Sequence, residues 1–567
     1  MKVGEMKYER VDLAAVAEKM RGLTRRMAAA TSGREMAEIR NESIAQAVKV
    51  QTMSSLCYIR FTLNTSDEFY LKEKEYYDEN TPALAAAATE LNRAFLANPH
   101  VSEALEIINP NVAKVYELSL KTMDEKIVPD LVEESRLVTE YDRLMSEKTF
   151  RFRGKELPLS VLRKYFDDPD RRVRSASMEV LGKGLKEILG DLDGIFDRLV
   201  HVRANMAKKM GFSSYAEMGD CQMGRYSYGR KEIKVFRDSI KRDVVPVVAK
   251  RRREIADRLG IDRIMLYDNE ICFPGGNPEP VIGAKKMFEA ARGMYRDMGG
   301  ETGAFIDEML EADAFDVFAK KGKWGGGYCT SIDGYKQPFV LANFNGSSGD
   351  VDVLTHEAGH ALFAYYEQFR SGADYELGLG TMSVAEIHSM AMEFFAWKYA
   401  ASFFGKRAED YKYAHLLSSL TFLPYGTMVD EFQEVCYDNP DMTPRERNEE
   451  WKKLDIYYRP YLSTDGIPYI EEGTRWQYQM HIYENPMYYI DYCLSQSVAH
   501  QFLVASLENY ADAFGRYVGL VKKAGELPFG ELVESAGLKD PLKAGALRES
   551  TAAIDELISR LGEKCFG

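Results

Sequence analysis

His356, Glu357 and His360 stand in a His-Glu-Ala-Gly-His run, inside the longer stretch DVDVLTHEAGHALFAYYEQF. On an α-helix, positions 356 and 360 lie one turn apart on one face, so both imidazoles can reach one Zn²⁺ at about 2.0–2.1 Å. Glu357 is offset by about 100° around the axis. That offset sets its carboxylate beside the ion, where it can accept a proton from water activated there. The chain has only eight histidines, and chance alone would give roughly 0.01 matches to this pattern in such a composition. Gly359 sharpens the reading, because glycine inside a helix costs about 1 kcal/mol and marks a close approach by another backbone or a ligand.

A catalytic zinc usually takes three protein ligands, with water in the fourth position. The third must come from elsewhere. Downstream, TMSVAEIHSMAMEFFAWKYAASFF reads as a second helix, with Glu386 in its first turn and Glu393 seven residues later on roughly the same face. Either carboxylate can serve. Ser383-Val384-Ala385-Glu386 also fits a capping box, in which Glu386 would only satisfy a backbone N–H. His388 lies about 200° around from Glu386 and reads as a packed or surface histidine. Two imidazoles and a carboxylate suit Zn²⁺ and also accept Co²⁺ or Mn²⁺.

These side chains need a frame. The motif helix is expected over 350–370, with Asp350 or Asp352 as its cap and an apolar stripe through Leu354, Ala358, Ala361, Leu362, Tyr365 and Phe369. The second helix is expected over 383–404. Apolar residues at three- and four-residue spacing, and only 19 prolines in 567 residues, predict a mainly α fold throughout. Asp168-Pro169 and Asn485-Pro486 read as helix starts. Strand signals are few. One is Thr149–Leu159, where Arg153-Gly154-Lys155 can turn a hairpin and Ser160 can cap the next helix. The other spans Phe315–Gly346, where Trp324-Gly325-Gly326-Gly327-Tyr328 precedes PFVLANFNG, predicting a small sheet just before the motif helix. The length exceeds what one core serves efficiently. We divide the chain at the hairpin into an N-terminal helical lobe, 1–160, and a catalytic domain, 161–567.

Composition narrows the partners. Lys plus Arg number 74 against 88 Asp plus Glu, a net charge of −14, which disfavours nucleic acid and anionic membrane. Seven scattered cysteines form no CxxC pair and read as buried, reduced thiols. No signal-peptide core or membrane-length apolar run is present, and a cytoplasmic location is expected. There is no GxxxxGK[ST] loop, and WGGGY does not open a helix as a dinucleotide fingerprint should.

Three features together resemble the thimet oligopeptidase-like family of zinc metallopeptidases and, within it, the oligoendopeptidase F branch: HEAGH, Glu386 followed by Ser389, and HIYENPMYYIDY at 481–492. The resemblance covers most of 160–567 and is strongest from Gly325 to Gln496. Ile387-His388 stands where the thimet branch has Val-Pro, which points to the oligoendopeptidase branch. The resemblance implies that Glu386 is the third zinc ligand and that Glu393 supports the site from behind. Within 473–500 it implies that His481, Tyr489 and Tyr492 hydrogen-bond the scissile carbonyl as it becomes an oxyanion. Tyr488, four before Tyr492, is a rival. The His481 to Tyr489 spacing is one residue shorter than in the thimet branch, and in a chain with 34 tyrosines core packing is the alternative role. Gly325, Gly326 and Gly327 are expected to let an extended substrate approach an edge strand, or else to form a flexible surface loop.

The fold so implied is a bilobed, zincin-type helical metallopeptidase with a deep substrate channel. The activity implied is zinc-dependent hydrolysis of internal bonds in short oligopeptides. A carboxypeptidase or dipeptidyl carboxypeptidase of related fold is the second enzymatic reading, and a peptide-binding protein without turnover is the third. Glu357 argues against the last, since a general base has no structural reason to persist in a pure binder.

Overall fold

The computed structural model describes every residue except Arg370, Ser371, Ala373, Leu379, Gly380 and Gly567, together with the main chain alone at Glu367 and Gln368. The molecule is mainly α. Its N-terminal helices, Leu13–Ala29, Gly33–Leu63 and Glu68–Ala97, open on Asp12, Ser32 and Asp67, whose side chains accept backbone N–H bonds of the first turn. These helices and Asn111–Thr122 enclose an apolar core that includes Leu13, Met20, Met36, Leu91, Phe95 and Tyr116. A larger core is built from the helices that follow, among them Gly349–Phe363, Met382–Phe395, Ala408–Asp438 and Tyr489–Glu508.

The expected hairpin is present: Thr149–Phe152 pairs antiparallel with Lys155–Pro158 around Arg153 and Gly154, both at positive φ. The following helix starts at Leu159 with Pro158 in the cap position, so Ser160 lies inside it and does not cap. Likewise Asp170, two residues later than Asp168, caps the helix Arg171–Lys186. The helix expected from Pro486 begins at Tyr489 instead. Met487 holds a left-handed φ of 64° there, and its N–H donates to Gln433 Oε1 while its carbonyl accepts from Arg225.

The small sheet stands where expected. Its central strand, Gln337–Phe344, pairs parallel with Phe315–Phe318 and antiparallel with Tyr328–Ile332, which forms an edge. The chain leaves Phe344 and enters the motif helix at Gly349. Neither predicted aspartate caps that helix. Asp350 folds back to accept the N–H groups of Asn345 and Gly346, and Asp352 accepts the Tyr411 hydroxyl at 2.6 Å. After Phe363 the helix widens into a π turn, Ala364–Gln368, and its expected end at Arg370 lies outside the described residues. All seven cysteines are free thiols, four of them buried. No helix among the described residues is long and apolar enough to cross a membrane.

Candidate metal centre and peptide cleft

His356 and His360 leave the motif helix on one face, with ring centroids 5.0 Å apart. The second helix crosses beside it, and Gly359 explains how closely. A Cβ built on Gly359 would lie 2.7 Å from the carbonyl oxygen of His388 and 2.7 Å from Cα of Ser389. The glycine accommodates the backbone of the second helix. That contact brings Glu386 over the two imidazoles, its Oε2 3.4 Å from Nε2 of His356 and 3.4 Å from Nε2 of His360. Ligands at about 2.0–2.1 Å from a tetrahedral ion stand about 3.3–3.4 Å from one another, the separation that Glu386 keeps from each imidazole. Among the described residues, these three form the one His/Cys/Asp/Glu group of this kind.

The capping-box alternative for Glu386 does not hold. Thr381 caps the second helix by accepting from Val384 N–H, while Ser383 lies within it and pairs with Tyr228. Glu386 is 2% exposed, and Ser389 donates to its Oε2 at 2.9 Å. Burial alone would raise its carboxyl pKa, but His360 and His356 outweigh burial and hold it well below the usual range.

Glu393 takes a different place. Its Oε1 accepts from Nδ1 of His356 at 2.6 Å and its Oε2 from Nε2 of His415 at 2.8 Å. Trp397 Nε1 donates to Nδ1 of His415 at 2.9 Å, which leaves the His415 proton on Nε2. Glu393 thereby orients His356 with its Nε2 lone pair facing Glu386 and His360. Burial opposes its charge, yet hydrogen bonds from His356 and His415 pull it down to about 2. His388 is packed, as one of the two readings had it: fully buried and stacked on Phe363 at 4.5 Å.

Glu357 is the outlier. Its Oε2 is buried and has no hydrogen-bond partner, and burial raises its pKa above the usual carboxylate value. A Cβ on Gly327 would lie 3.9 Å from Glu357 Oε1, so the glycine run borders the site. Gly325 has open space where a side chain would stand, and at Gly326 a Cβ would collide with the Trp324 ring. Asn343 Nδ2 donates to the carbonyls of Trp324 and Gly326 at 2.8 Å, tying this run to the central strand.

The aromatic cluster stands opposite. His481 lies in the short helix Met480–Glu484, with ring centroids 5.0, 5.9 and 6.0 Å from Tyr489, Tyr492 and Tyr488. Burial pushes His481 down to about 4, so it is neutral. Its tautomer follows from a relay: Tyr425 donates to Gln479 Oε1 at 2.6 Å, and Gln479 Nε2 meets His481 Nδ1 at 2.9 Å. The His481 proton therefore sits on Nε2. Tyr488 reaches the ligand set directly, donating its hydroxyl to Glu386 Oε1, and Tyr492 packs against it at 4.8 Å. Tyr489 is only 8% exposed and sits edge-on against Tyr425 at 6.0 Å. Spacing alone gave no signal for His415, Trp397, Tyr425 or Gln479.

Residues 3–123 match the peptidase M3 N-terminal domain and residues 304–550 match peptidase family M3. The oligopeptidase PepF of Bacillus subtilis (strain 168) is 24% identical over 280 residues, covering 47% of this chain and 40% of that protein. The match thus spans less than half the length of this relative. Among solved structures, PZ peptidase A with an inhibitor is 37% identical with a TM-score of 0.94, covering 99% of both chains. A protein described as an oligoendopeptidase F is 38% identical with a TM-score of 0.95, covering 100% of both.

Proposed function

We propose, from the premise that the chain belongs to peptidase family M3, that it is a zinc-dependent endopeptidase that cuts internal bonds of short oligopeptides. The observation that supports this most is the pairing of the His356–His360–Glu386 cluster, with Glu386 3.4 Å from each imidazole, with a carboxylate at Glu357 whose buried Oε2 has no partner. When bound, zinc supplies Lewis acidity that polarises a carbonyl and lowers the pKa of water. His356, His360 and Glu386 hold it, with Glu393 and Tyr488 fixing two of those three side chains. Glu357 accepts a proton from the attacking water through its free oxygen and returns it to the leaving amine. His481 donates Nε2–H, and Tyr492 its hydroxyl, to the carbonyl oxygen as it gains charge. Each such donor contributes about 2.7–4 kcal/mol in comparable sites. Tyr489 backs His481 through the Tyr425 wall, the role its burial supports. An extended substrate pairs with the edge strand Tyr328–Ile332, with Gly325 leaving open space for its backbone, Gly326 seating the Trp324 ring and Gly327 bordering Glu357. The lobes 1–160 and 161–567 close around the cleft, so that unfolded segments enter and folded proteins do not.

Replacing Glu357 with Gln keeps the volume and removes the base. The expected outcome is a fall in kcat of about 10²–10⁴-fold with zinc content unchanged by elemental analysis. Wild-type turnover in that variant would sink the assignment. Mass spectrometry of products from a blocked-end peptide tests the endopeptidase reading, since release of only one or two C-terminal residues would favour the exopeptidase.

A further inference from the structure

Behind the tyrosine cluster lies a cavity of about 270 Å³ whose wall includes Phe422, Tyr425, Arg459, Tyr461, Arg475 and Tyr478. Two of its wall residues, Phe422 and Tyr425, also touch the tyrosines of the cleft. Tyr425 in this wall holds Gln479 and, through it, His481. Phe422 lies 5.7 Å from the Tyr489 ring and 6.3 Å from that of Tyr492.

The wall carries buried donors without acceptors. Nη2 of Arg459, Nη1 of Arg475 and the hydroxyl of Tyr461 make no hydrogen bond, nor does Nη1 of the fully buried Arg252. The rest of the Arg252 guanidinium leans on Thr421 Oγ1, another wall residue, at 3.1–3.2 Å. Asn269 Oδ1 is an unpartnered acceptor in the same wall. Arg459 is paired once, to Asp455 at 2.6 Å. Arg475 is flanked by rings, its Cζ 4.5 Å from the Tyr478 centroid and 5.8 Å from that of Tyr425, and no ion pair to it occurs among the described residues. Two carboxylates also line the cavity, Asp167 and Glu270. Both, with Ser418, are shared with an adjoining cavity that runs to Gly349, Asp352 and His415, so they mark the junction of the two. Glu270 is occupied there by Asn269 Nδ2 and Ser418 Oγ.

A buried donor left unmet costs about 1–3 kcal/mol, more when charged. Guanidinium forks held beside aromatic rings are suited to a planar, two-oxygen anion. We propose that this cavity is a carboxylate subsite of the peptide cleft, in which Arg475, Arg459 and Tyr461 receive either the α-carboxylate that ends the substrate or an acidic side chain along it. The inference rests on the peptidase reading for its ligand class.

The test uses one peptide of about ten residues in matched carboxylate and neutral forms. It is supplied as the free acid and the C-terminal amide, and the amide is supplied with a Glu or a Gln at each position on the C-terminal side of the cut. Both kcat/KM on the wild-type protein and Kd on the Glu357→Gln protein are measured. At least one carboxylate form is expected to exceed its neutral counterpart about tenfold, and that ratio is expected to fall toward one in Arg475→Gln. Preference for acid over amide assigns the α-carboxylate, and preference for Glu over Gln assigns the side chain. Equal values across every pair in the wild type overturn the subsite while leaving hydrolysis standing, and no variant needs to fold for that result. A ratio that survives in Arg475→Gln also overturns it. Discrimination in Kd without any turnover keeps the subsite and sinks the hydrolytic reading instead.

Discussion

Glu393 shows how a residue can orient a candidate metal ligand from behind. It spans His356 and His415, and with Trp397 beyond them the protons along this chain have one arrangement. Removing such a partner typically costs 10–100-fold in metal affinity. Glu393→Gln cannot accept on both oxygens, and chelator competition should show a zinc Kd raised by that factor, with the fold intact by circular dichroism. An unchanged Kd would mean that His356 is oriented by packing alone. HEAGH was legible because chemistry and helical period coincide within five residues. Glu386 needed the family resemblance, since spacing left it equal to Glu393. His415 and Gln479 could not be found, because their partners are remote in sequence and only packing brings them together. The resemblance implies a place for Tyr489 at the carbonyl; in the structure Tyr489 is 8% exposed, and Tyr488 is the tyrosine whose hydroxyl meets Glu386.

At the scale of elements, the site depends on how tightly two helices pack. The 2.7 Å separation between a hypothetical Cβ at 359 and the backbone of the second helix leaves no room for alanine. Gly359→Ala should favour the isolated helix by about 1 kcal/mol, yet push the two helices apart at an overpacking cost of about 1–3 kcal/mol. The ligands ride on both helices, so zinc affinity should fall by at least tenfold and the denaturation midpoint should drop. A variant that binds zinc normally would show that the helices can separate without moving Glu386. The sequence flagged this glycine as a close approach, but the approaching backbone was hidden by chain separation. The helix Tyr489–Glu508 packs on the other side of the second helix and carries a pH-sensitive group. His500 is 3% exposed, hydrogen-bonded to Ser419 at 2.9 Å, and burial lowers it to about 3. Unfolded, it takes a proton near pH 6.5, so below that pH the unfolded chain binds more protons and stability falls as pH falls. His500→Gln should flatten the dependence of urea midpoints between about pH 6 and 4, removing up to about 1.4 kcal/mol per pH unit. An identical slope in the variant would exclude His500 as a source of acid sensitivity.

At the scale of the molecule, the N-terminal helices must be held to the body for the cleft to select by access. Arg40 does this from the helix Gly33–Leu63. It is 4% exposed, pairs with Asp374 at 2.7 Å, and also contacts Glu376. Tyr116 donates to Glu376 at 2.5 Å, and the Asn109 N–H donates to Asp374 at 2.8 Å. Three N-terminal groups, Arg40, Tyr116 and the Asn109 N–H, thus converge through four contacts on Asp374 and Glu376, which follow the motif helix. None of this was visible in the sequence, where Arg40 is one of 74 basic residues and its partners lie more than three hundred positions away. Arg40→Met would strand two carboxylates that are 19% and 14% exposed. Breaking a buried pair in this way costs about 3–5 kcal/mol. Because the loss falls on the contact between N-terminal helices and body, its first effect should be on access. Hydrolysis of a short peptide should change little, whereas a reduced, unfolded protein substrate that the wild type cuts slowly should be cut several-fold faster. Limited proteolysis should also nick the variant sooner between the two cores. If long and short substrates respond equally, or the midpoint does not move, the Arg40 latch has no part in selecting substrates by size, and the exclusion must come from the cleft walls themselves.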